Sequence, residues 1–390
     1  MKELKDKLDT LCIFRDFLKD PVISALCKFL DNPTSPAYAG FVAALYEANG
    51  GDLSGYVKDL CDNSTNVYVK TLGRGETVPD YMYSALLSEL ETLQEIADLT
   101  KEKLCSLFTY QGFLPDFTGS KLQLKEHYLH RASNIEKYGY GIYARNHMFY
   151  VDAQDKIVPV RNPDRISLSQ LVDYQREQQI ILNNTKALLD GKPAANILLT
   201  GDAGTGKSST VKAVANALRK EGLRLIEVRK DQLRAIPKIL DELSENPLKF
   251  VLFIDDLSFL KDDDNFNALK AVLEGSVTAK SSNVVIYATS NRRHIIKEKF
   301  SDREGDEVHR NDTMQELISL SERFGIHVTF SKPNKQTYLH IVHSIAKEQA
   351  LDMEEAELDV LAERFALERG GRSARLARQF VDGLLSNIET

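Results

Sequence analysis

The chain has 390 residues with 43% hydrophobic residues and a formal net charge of −7, so it can form two or three domains and is too acidic overall to be a general polyanion binder. No apolar run approaches the ~18 residues that span a bilayer, and no apolar signal core follows the N-terminus, so we expect a cytoplasmic protein without a membrane partner. The four cysteines have no CxxC spacing, which indicates buried free thiols rather than a metal site or a disulfide framework.

The first third of the chain predicts helices. Residues 1–109 show helical periodicity broken by proline and glycine turn signals, and within them residues 81–108 carry an apolar stripe typical of a core helix. Residues 110–165 are aromatic and partly basic and include a predicted strand at 147–151. We interpret this segment as a packed connector between domains, with a single-stranded nucleic-acid surface as the alternative.

From residue 166 the pattern changes to alternating strands and helices. This alternation predicts an α/β domain over residues 166–332, with a parallel sheet covered on both faces. The predicted strands are 196–200, 223–228, 250–255, 284–290 and 326–330. Residues 333–390 read as helix throughout and are predicted to form a small helical lid.

A phosphate-binding loop follows the first of these strands. The residues that fit the GxxxxGK[ST] pattern are Gly201, Asp202, Ala203, Gly204, Thr205, Gly206, Lys207 and Ser208, and Ser209 follows them. The glycines let backbone N–H groups surround a triphosphate, the lysine brings a positive charge to the outer phosphates, and the serine offers a hydroxyl to Mg²⁺. These residues predict an ATP site at the N-terminus of a helix.

Further polar residues lie at strand ends that meet the same edge of a parallel sheet. Asp255 and Asp256 end an apolar strand, as in a Walker B motif, where the first acid holds Mg²⁺ through its water shell and the second activates a water molecule. Asn291, after the next strand, is expected to hydrogen-bond the attacking water or the γ-phosphate. Arg323 lies where it could reach a neighbouring subunit's nucleotide, and Arg375 lies where it could reach the γ-phosphate from the lid. Arg372 competes with Arg375 for that role.

Taken together, residues 166–385 resemble AAA+ ATPases, and the chain is similar to a bacterial AAA+ family catalogued only as a domain of unknown function. The stretches that carry this resemblance are Tyr138-Gly-Tyr-Gly, Phe253-Ile-Asp-Asp-Leu-Ser-Phe259, Leu269-Lys-Ala-Val-Leu-Glu-Gly275, Ala288-Thr-Ser-Asn-Arg-Arg-His294, Leu320-Ser-Glu-Arg-Phe-Gly325 and Arg375-Leu-Ala-Arg-Gln-Phe-Val381. The resemblance implies the strand order 5-1-4-3-2, ATP held between lid and sheet, and adenine flanked by Val172, Tyr174 and Gln175.

Two departures from many AAA+ motors narrow the expected function. The second Walker B acid is Asp256 where many motors have glutamate, a substitution shared by the helicase-loader and initiator relatives. The segment 230–240 has no aromatic residue and no glycine, which disfavours polypeptide threading. We therefore expect a homo-oligomeric ATPase, with a hexamer as one arrangement, that uses ATP and Mg²⁺ to remodel or load a macromolecular partner such as a protein client.

Several alternatives stay open or are disfavoured. A slow nucleotide-gated binding module or switch is the main alternative, motivated by Asp256 and the nearby acidic run 262–264. A basic segment, residues 292–299, could bind single-stranded nucleic acid, but acidic residues follow it directly and intersubunit ion pairs are favoured. A P-loop kinase is disfavoured because kinases do not combine a strand-tip Asn with a following Arg-Phe-Gly, and a GTPase and an ABC ATPase are disfavoured because their NKxD and LSGGQ motifs are absent.

Overall fold

The computed structural model describes residues 2–257, 264–274, 282–291 and 322–386. It divides into two compact units, Met1–Arg145 and Asn146–Thr390. This boundary falls inside the segment 110–165 that the sequence suggests as a connector. Residues up to 145 belong to the helical unit, because Leu124, Tyr128 and Ile135 are buried in its core, whereas residues from 146 onward enter the sheet.

The N-terminal unit is entirely helical among its described elements. Its α-helices are α1 Lys2–Asp9, α2 Pro21–Asp31, α3 Ser35–Asn49, α4 Leu53–Asp62, α5 Val67–Gly73, α6 Asp80–Ala97, α7 Lys101–Cys105, α8 Leu124–Ala132, α9 Ile135–Tyr138 and α10 Ile142–Arg145. The stripe on α6 is core, as expected, with Leu86, Leu90 and Leu93 fully buried.

One buried carboxylate organises the start of this unit. Glu89, on α6, is only 7% exposed and accepts hydrogen bonds from three consecutive backbone N–H groups, those of Cys12, Ile13 and Phe14, at 2.8–3.1 Å. The N–H groups of this turn would otherwise be buried without acceptors, and the acceptor comes from a helix 75 or more residues away in sequence.

The cysteines are free, as expected, but their predicted burial is wrong for most of them. Only Cys61 is buried, Cys27 and Cys105 are intermediate, and Cys12 is exposed. The Cys12 thiol donates to Glu89, and this hydrogen bond is the main reason that its pKa is raised above the ordinary value. No helix in the described ranges is long and apolar enough to cross a membrane.

The second unit contains a seven-stranded sheet flanked by helices. Its strands are β1 Met148–Val151, β2 Ile157–Pro159, β3 Ile197–Gly201, β4 Leu223–Glu227, β5 Lys249–Ile254, β6 Val284–Ser290 and β7 Ile326–Phe330. The strand order is β2-β1-β4-β5-β6-β3-β7, and among the described strands only the β1–β2 pair is antiparallel. The strands β7-β3-β6-β5-β4 have the order 5-1-4-3-2 that the family resemblance implies, and the complete order differs because β1 and β2 extend the sheet beyond β4. The sequence did not predict β2, because a strand of three residues that ends in proline is too short to show the alternation of apolar and polar residues typical of a strand.

The helices of the second unit are α11 Gln175–Leu189, α12 Lys207–Leu218, α13 Ile236–Ser244, α14 Asp264–Glu274, α15 Lys335–Glu348, α16 Glu355–Glu368 and α17 Ala374–Leu385. The last three pack around their own core, which includes Tyr338, Phe365 and Phe380. Asn334 caps α15 and Ser373 caps α17 through side-chain oxygens that accept backbone N–H bonds. The capping serine fixes where α17 begins, and this start lies directly beside the glycine-rich loop.

Candidate nucleotide-binding site

The glycine-rich loop joins the end of β3 to the start of α12, as the sequence predicts. Two of its glycines are required by close packing. A Cβ on Gly201 would lie 2.0 Å from the Phe330 carbonyl oxygen, and one on Gly204 would lie 3.1 Å from both Arg375 Cβ and Ser373 Oγ. Both glycines also have positive φ angles, 139° and 79°. The loop is therefore held between the last strand and the lid.

Lys207 is the most buried charged group of this loop, at 5% exposed. Its Nζ donates to the carbonyl oxygens of Gly201 and Asp202, at 3.0 and 2.8 Å, and to Asn291 Oδ1 at 3.0 Å. Burial lowers the pKa of Lys207 from 10.5, opposed by the charges of Asp255, Asp202 and Asp256. An ammonium so poorly solvated gains more from an added anion than an exposed lysine does.

The predicted metal ligands meet directly. Ser208 Oγ, in the first turn of α12, donates to Asp255 Oδ1 at 2.6 Å, although 47 residues separate the two in sequence. The same oxygen accepts from Thr289 Oγ1 at 2.5 Å. A hydroxyl that donates its proton keeps its lone pairs for a cation, and the second carboxylate oxygen of Asp255, which bonds no described residue, would accept from a metal-bound water. Hydroxyl and carboxylate oxygens suit Mg²⁺, which retains several waters and uses few protein ligands.

Asp256 and Asn291 are also brought together. Asp256 has a left-handed φ of 54°, an uncommon conformation for a residue other than glycine, and its N–H donates to Thr289 Oγ1 at 2.9 Å. Asn291 Nδ2 donates to Asp256 Oδ1 at 2.8 Å while Asn291 Oδ1 accepts from Lys207. Asn291 therefore connects the loop lysine to the second Walker B acid.

The C-terminal helices, which the sequence predicts to be a lid, contribute cations from the first turns of α17. Arg375 lines the cleft, and its backbone N–H donates to the Gly204 carbonyl at 3.2 Å. Arg372 instead makes a two-pronged ion pair with Glu363, with N–O distances of 2.8 and 2.6 Å. Of the two arginines that the sequence left in competition, only Arg375 lines the cleft.

The segment before α11 forms the other wall. Val172 and Tyr174 line the cleft, as the family resemblance implies, whereas Gln175 does not. Asp173 and Tyr174 are consecutive left-handed residues, with φ of 65° and 60°. Gln178 Nε2 donates to the Leu171 and Asp173 carbonyls at 2.9 and 2.8 Å, which holds this turn in place.

The cleft between these walls encloses about 1610 Å³ of empty space, including solvent at its mouth. Sequence reasoning missed part of its lining, namely Gln170, Gln178, Arg378, Gln379 and Asp382. Helix amphipathicity could have placed the three residues of α17 on one face, because Arg378 and Gln379 precede Asp382 by four and three positions. Nothing local in the sequence marks the two glutamines.

Arg323 lies away from this cleft. It lies before the first residue of β7, whereas the glycine-rich loop lies near the last residue of that strand. Its guanidinium forms an ion pair with Glu274 at the end of α14.

Other predicted features fall outside the described ranges. The basic segment 292–299, the acidic residues 262–263 and parts of the motifs at 258–259 and 320–321 are among them. Within the part of the chain that the structure describes, no group of three or more His, Cys, Asp or Glu side chains could hold a metal. Two histidines of α15 each contact a separate carboxylate: His340 contacts Asp173 and His343 contacts Asp359.

Comparison with known proteins gives one family and a set of weak structural likenesses. Residues 144–388, more than half of the chain, match a family model described as "Protein of unknown function (DUF815)". No curated protein matches. Among solved structures, the RuvB Holliday junction branch migration motor of Thermotoga maritima is 17% identical with a TM-score of 0.40, and the match covers 57% of this chain and 64% of RuvB. A mutant of the same RuvB matches at 16% identity, with 65% of its length covered. The matched region is thus less than two thirds of the RuvB chain.

Proposed function

Because the chain belongs to the DUF815 family of proteins of unknown function, its activity has to be inferred from its site, and we propose that it is a magnesium-dependent ATPase of the AAA+ type. The observation that carries this proposal is the convergence of Lys207, Ser208 and Asp255 at the carboxyl ends of β3 and β5. A buried ammonium, a helix N-terminus and a hydroxyl–carboxylate pair together match the charges of a triphosphate and its metal ion.

The remaining polar residues of the cleft suggest how ATP would be hydrolysed. Asp256 accepts a proton from a water that attacks the γ-phosphorus, the bond to the bridging oxygen breaks, and ADP leaves with that oxygen. Asn291 holds Asp256 through its amide and is placed to orient the water. Lys207 and Arg375 stabilise charge on the phosphoryl oxygens, and Mg²⁺ supplies further charge neutralisation when bound through Ser208 and Asp255.

The test of ATP binding uses Lys207→Ala with Lys220→Ala as the matched control. Lys220 is an exposed lysine in the turn after α12, outside the cleft. We expect Lys207→Ala to weaken the binding of labelled ATP with Mg²⁺ by about tenfold or more, since a bond to a charged group contributes about 1.5–3 kcal/mol. Unchanged ATP affinity in Lys207→Ala, or equal losses in both variants, would contradict the proposal.

The assembled form is proposed to be a homo-oligomer in which Arg323 of one subunit completes the site of the next. An arginine supplied in this way contributes about 10³–10⁵ to the rate, so turnover per chain should rise with protein concentration. Mixing Arg323→Ala chains with Asp256→Asn chains provides a sharp test, because a mixed interface can combine an intact Asp256 with an intact Arg323. Activity of the mixture no greater than the sum of the two variants would refute transfer of Arg323 between subunits.

We further propose that the ATPase cycle remodels or loads a macromolecular partner. Asp256→Asn should hold ATP without cleaving it, so the variant should retain a partner that wild type releases after hydrolysis. Loss of that retention when Lys207→Ala is added would tie the partner to bound nucleotide.

A slow nucleotide-gated switch is the second candidate. It is favoured by the short Asp256 carboxylate and by the bonds through which Asn291 engages both Asp256 and Lys207. A switch should turn over slowly even when oligomeric and saturated with partner, whereas a remodelling ATPase should accelerate.

A further inference from the structure

Thr289 is a buried residue of β6 that touches both Walker B acids. It is 1% exposed and belongs to a strand hydrogen-bonded to β5 on one side and β3 on the other. Its hydroxyl donates to Asp255 Oδ1 at 2.5 Å and accepts from the Asp256 N–H at 2.9 Å. One hydroxyl has one donor and two acceptor sites, so both bonds can form together.

The first of these bonds restricts the Asp255 carboxylate. Oδ1 receives two hydroxyl donors, one from Ser208 in the phosphate loop and one from Thr289 in the sheet. Threonine is stiff at χ1, and the Thr289 carbonyl also accepts from the Leu257 N–H at 2.7 Å. The donor that fixes the carboxylate is therefore itself held by the central sheet.

The second bond supports an unfavourable backbone conformation. Asp256 adopts a left-handed φ of 54°, and its N–H would lose its protein partner without the Thr289 hydroxyl. This backbone turn directs the Asp256 carboxylate to Asn291. A change at Thr289 can thus alter the position of both acids without touching nucleotide.

We propose that Thr289 is a positioning residue of the ATP site: its hydroxyl aims Asp255 at the metal ion and holds Asp256 in its left-handed conformation. This inference rests on the proposed ATPase function. It goes beyond that function by assigning magnesium dependence and turnover to a side chain that contacts neither substrate nor metal. A hydroxyl that only satisfied the sheet would affect stability and leave magnesium dependence unchanged.

The test compares Thr289→Val, which keeps the shape and removes the hydroxyl, with Thr289→Ser, which keeps the hydroxyl. Thr329→Val is the matched control, because Thr329 is on β7 of the same sheet and its hydroxyl pairs with Thr200 instead. Three quantities are measured on the full chain: ATP affinity without Mg²⁺, the Mg²⁺ concentration that gives half-maximal turnover, and kcat.

For Thr289→Val we expect unchanged metal-free ATP affinity, a half-saturating Mg²⁺ concentration raised about tenfold or more, and a lowered kcat. Thr289→Ser should restore most of the magnesium affinity and most of kcat, and Thr329→Val should match wild type in all three quantities. A normal Mg²⁺ requirement in Thr289→Val, a Thr289→Ser variant as impaired as Thr289→Val, or an equal loss of metal-free ATP binding would overturn the inference. Wild type that binds no ATP would instead overturn the proposed function, so the two failures are distinguishable.

Discussion

Replacing Arg375 by alanine should weaken nucleotide binding, whereas replacing Arg372 should weaken the lid itself. The guanidinium of Arg375 makes no hydrogen bond or ion pair with another described residue, yet the backbone of this residue touches the phosphate loop at Gly204. Lys207 and Arg375 both line the cleft, and after burial the charge of Arg375 also contributes to the lowered pKa of Lys207. Arg375 is therefore available to an anion in the cleft.

The size of the effect follows from the bond type and the exposure. A hydrogen bond to a charged group contributes about 1.5–3 kcal/mol, and solvent screening at the exposed Arg375 favours the lower end of that range. Since about 1.4 kcal/mol corresponds to a factor of ten, Arg375→Ala should weaken ATP binding about tenfold. The temperature of unfolding should hardly change, because no described partner is lost.

Arg372→Ala should give the opposite result. Its ion pair with Glu363 joins the start of α17 to α16, and the hydrogen bond from Arg372 is the main reason that the pKa of Glu363 is lowered from 4.5. A carboxyl group with a lowered pKa stabilises the fold above its unfolded pKa, and this stability is lost as pH falls through the folded pKa. The variant should therefore unfold at lower temperature at neutral pH, with the difference from wild type shrinking in acid.

The paired assay is an equilibrium titration with labelled ATP and Mg²⁺, together with thermal unfolding of the same preparations at neutral and acid pH. The reasoning is refuted if Arg372→Ala loses more ATP affinity than Arg375→Ala. A stability loss from Arg372→Ala that is the same at neutral and acid pH would also count against the role assigned to Glu363.

Three further predictions concern protonation and burial. ATP affinity should fall as pH rises, starting below 10.5, because burial lowers the pKa of Lys207 in the free protein and phosphate binding requires the charged ammonium. The affinity of Lys207→Arg should not show this fall. Constant wild-type affinity up to pH 10.5 would contradict the prediction. Glu89→Gln should lower the free energy of unfolding by about 2–3 kcal/mol in urea titrations, because the donor NH₂ of the amide would face the donor N–H groups of residues 12–14. The control is Glu91→Gln, at an exposed position of the same helix. Equal small losses in both variants would refute the role given to Glu89. The pKa of His147 is lowered from 6.5, mainly by burial, so its neutral form stabilises the second unit above pH 6.5 and this stability declines as pH falls. The stability of His147→Gln should depend less on acid pH. An identical pH profile of unfolding in the variant and wild type would rule out this role.

The sequence by itself was sufficient to locate the segments whose signal lies in contiguous residues. The phosphate loop needs glycine, lysine and serine at fixed spacing between a strand and a helix, so Gly201, Lys207 and Ser208 could be identified without coordinates. The five strands from 196 to 330 were also predicted to within a residue or two, because fully buried parallel strands are continuous apolar runs bounded by turns. Asp255 and Asp256 followed from their position at the end of such a run.

The tertiary structure decided what depends on residues that are distant in the chain. A threonine in a strand indicates only β propensity, so nothing in the sequence showed that the Thr289 hydroxyl reaches both acids. The choice between Arg372 and Arg375 in the cleft depended on Glu363, on a different helix, and the boundary at residue 145 depended on which core buried Leu124 and Tyr128. Local patterns set the elements of this protein, whereas side-chain partners are chosen by packing, because a hydrogen bond requires a distance and an angle that only the folded chain defines.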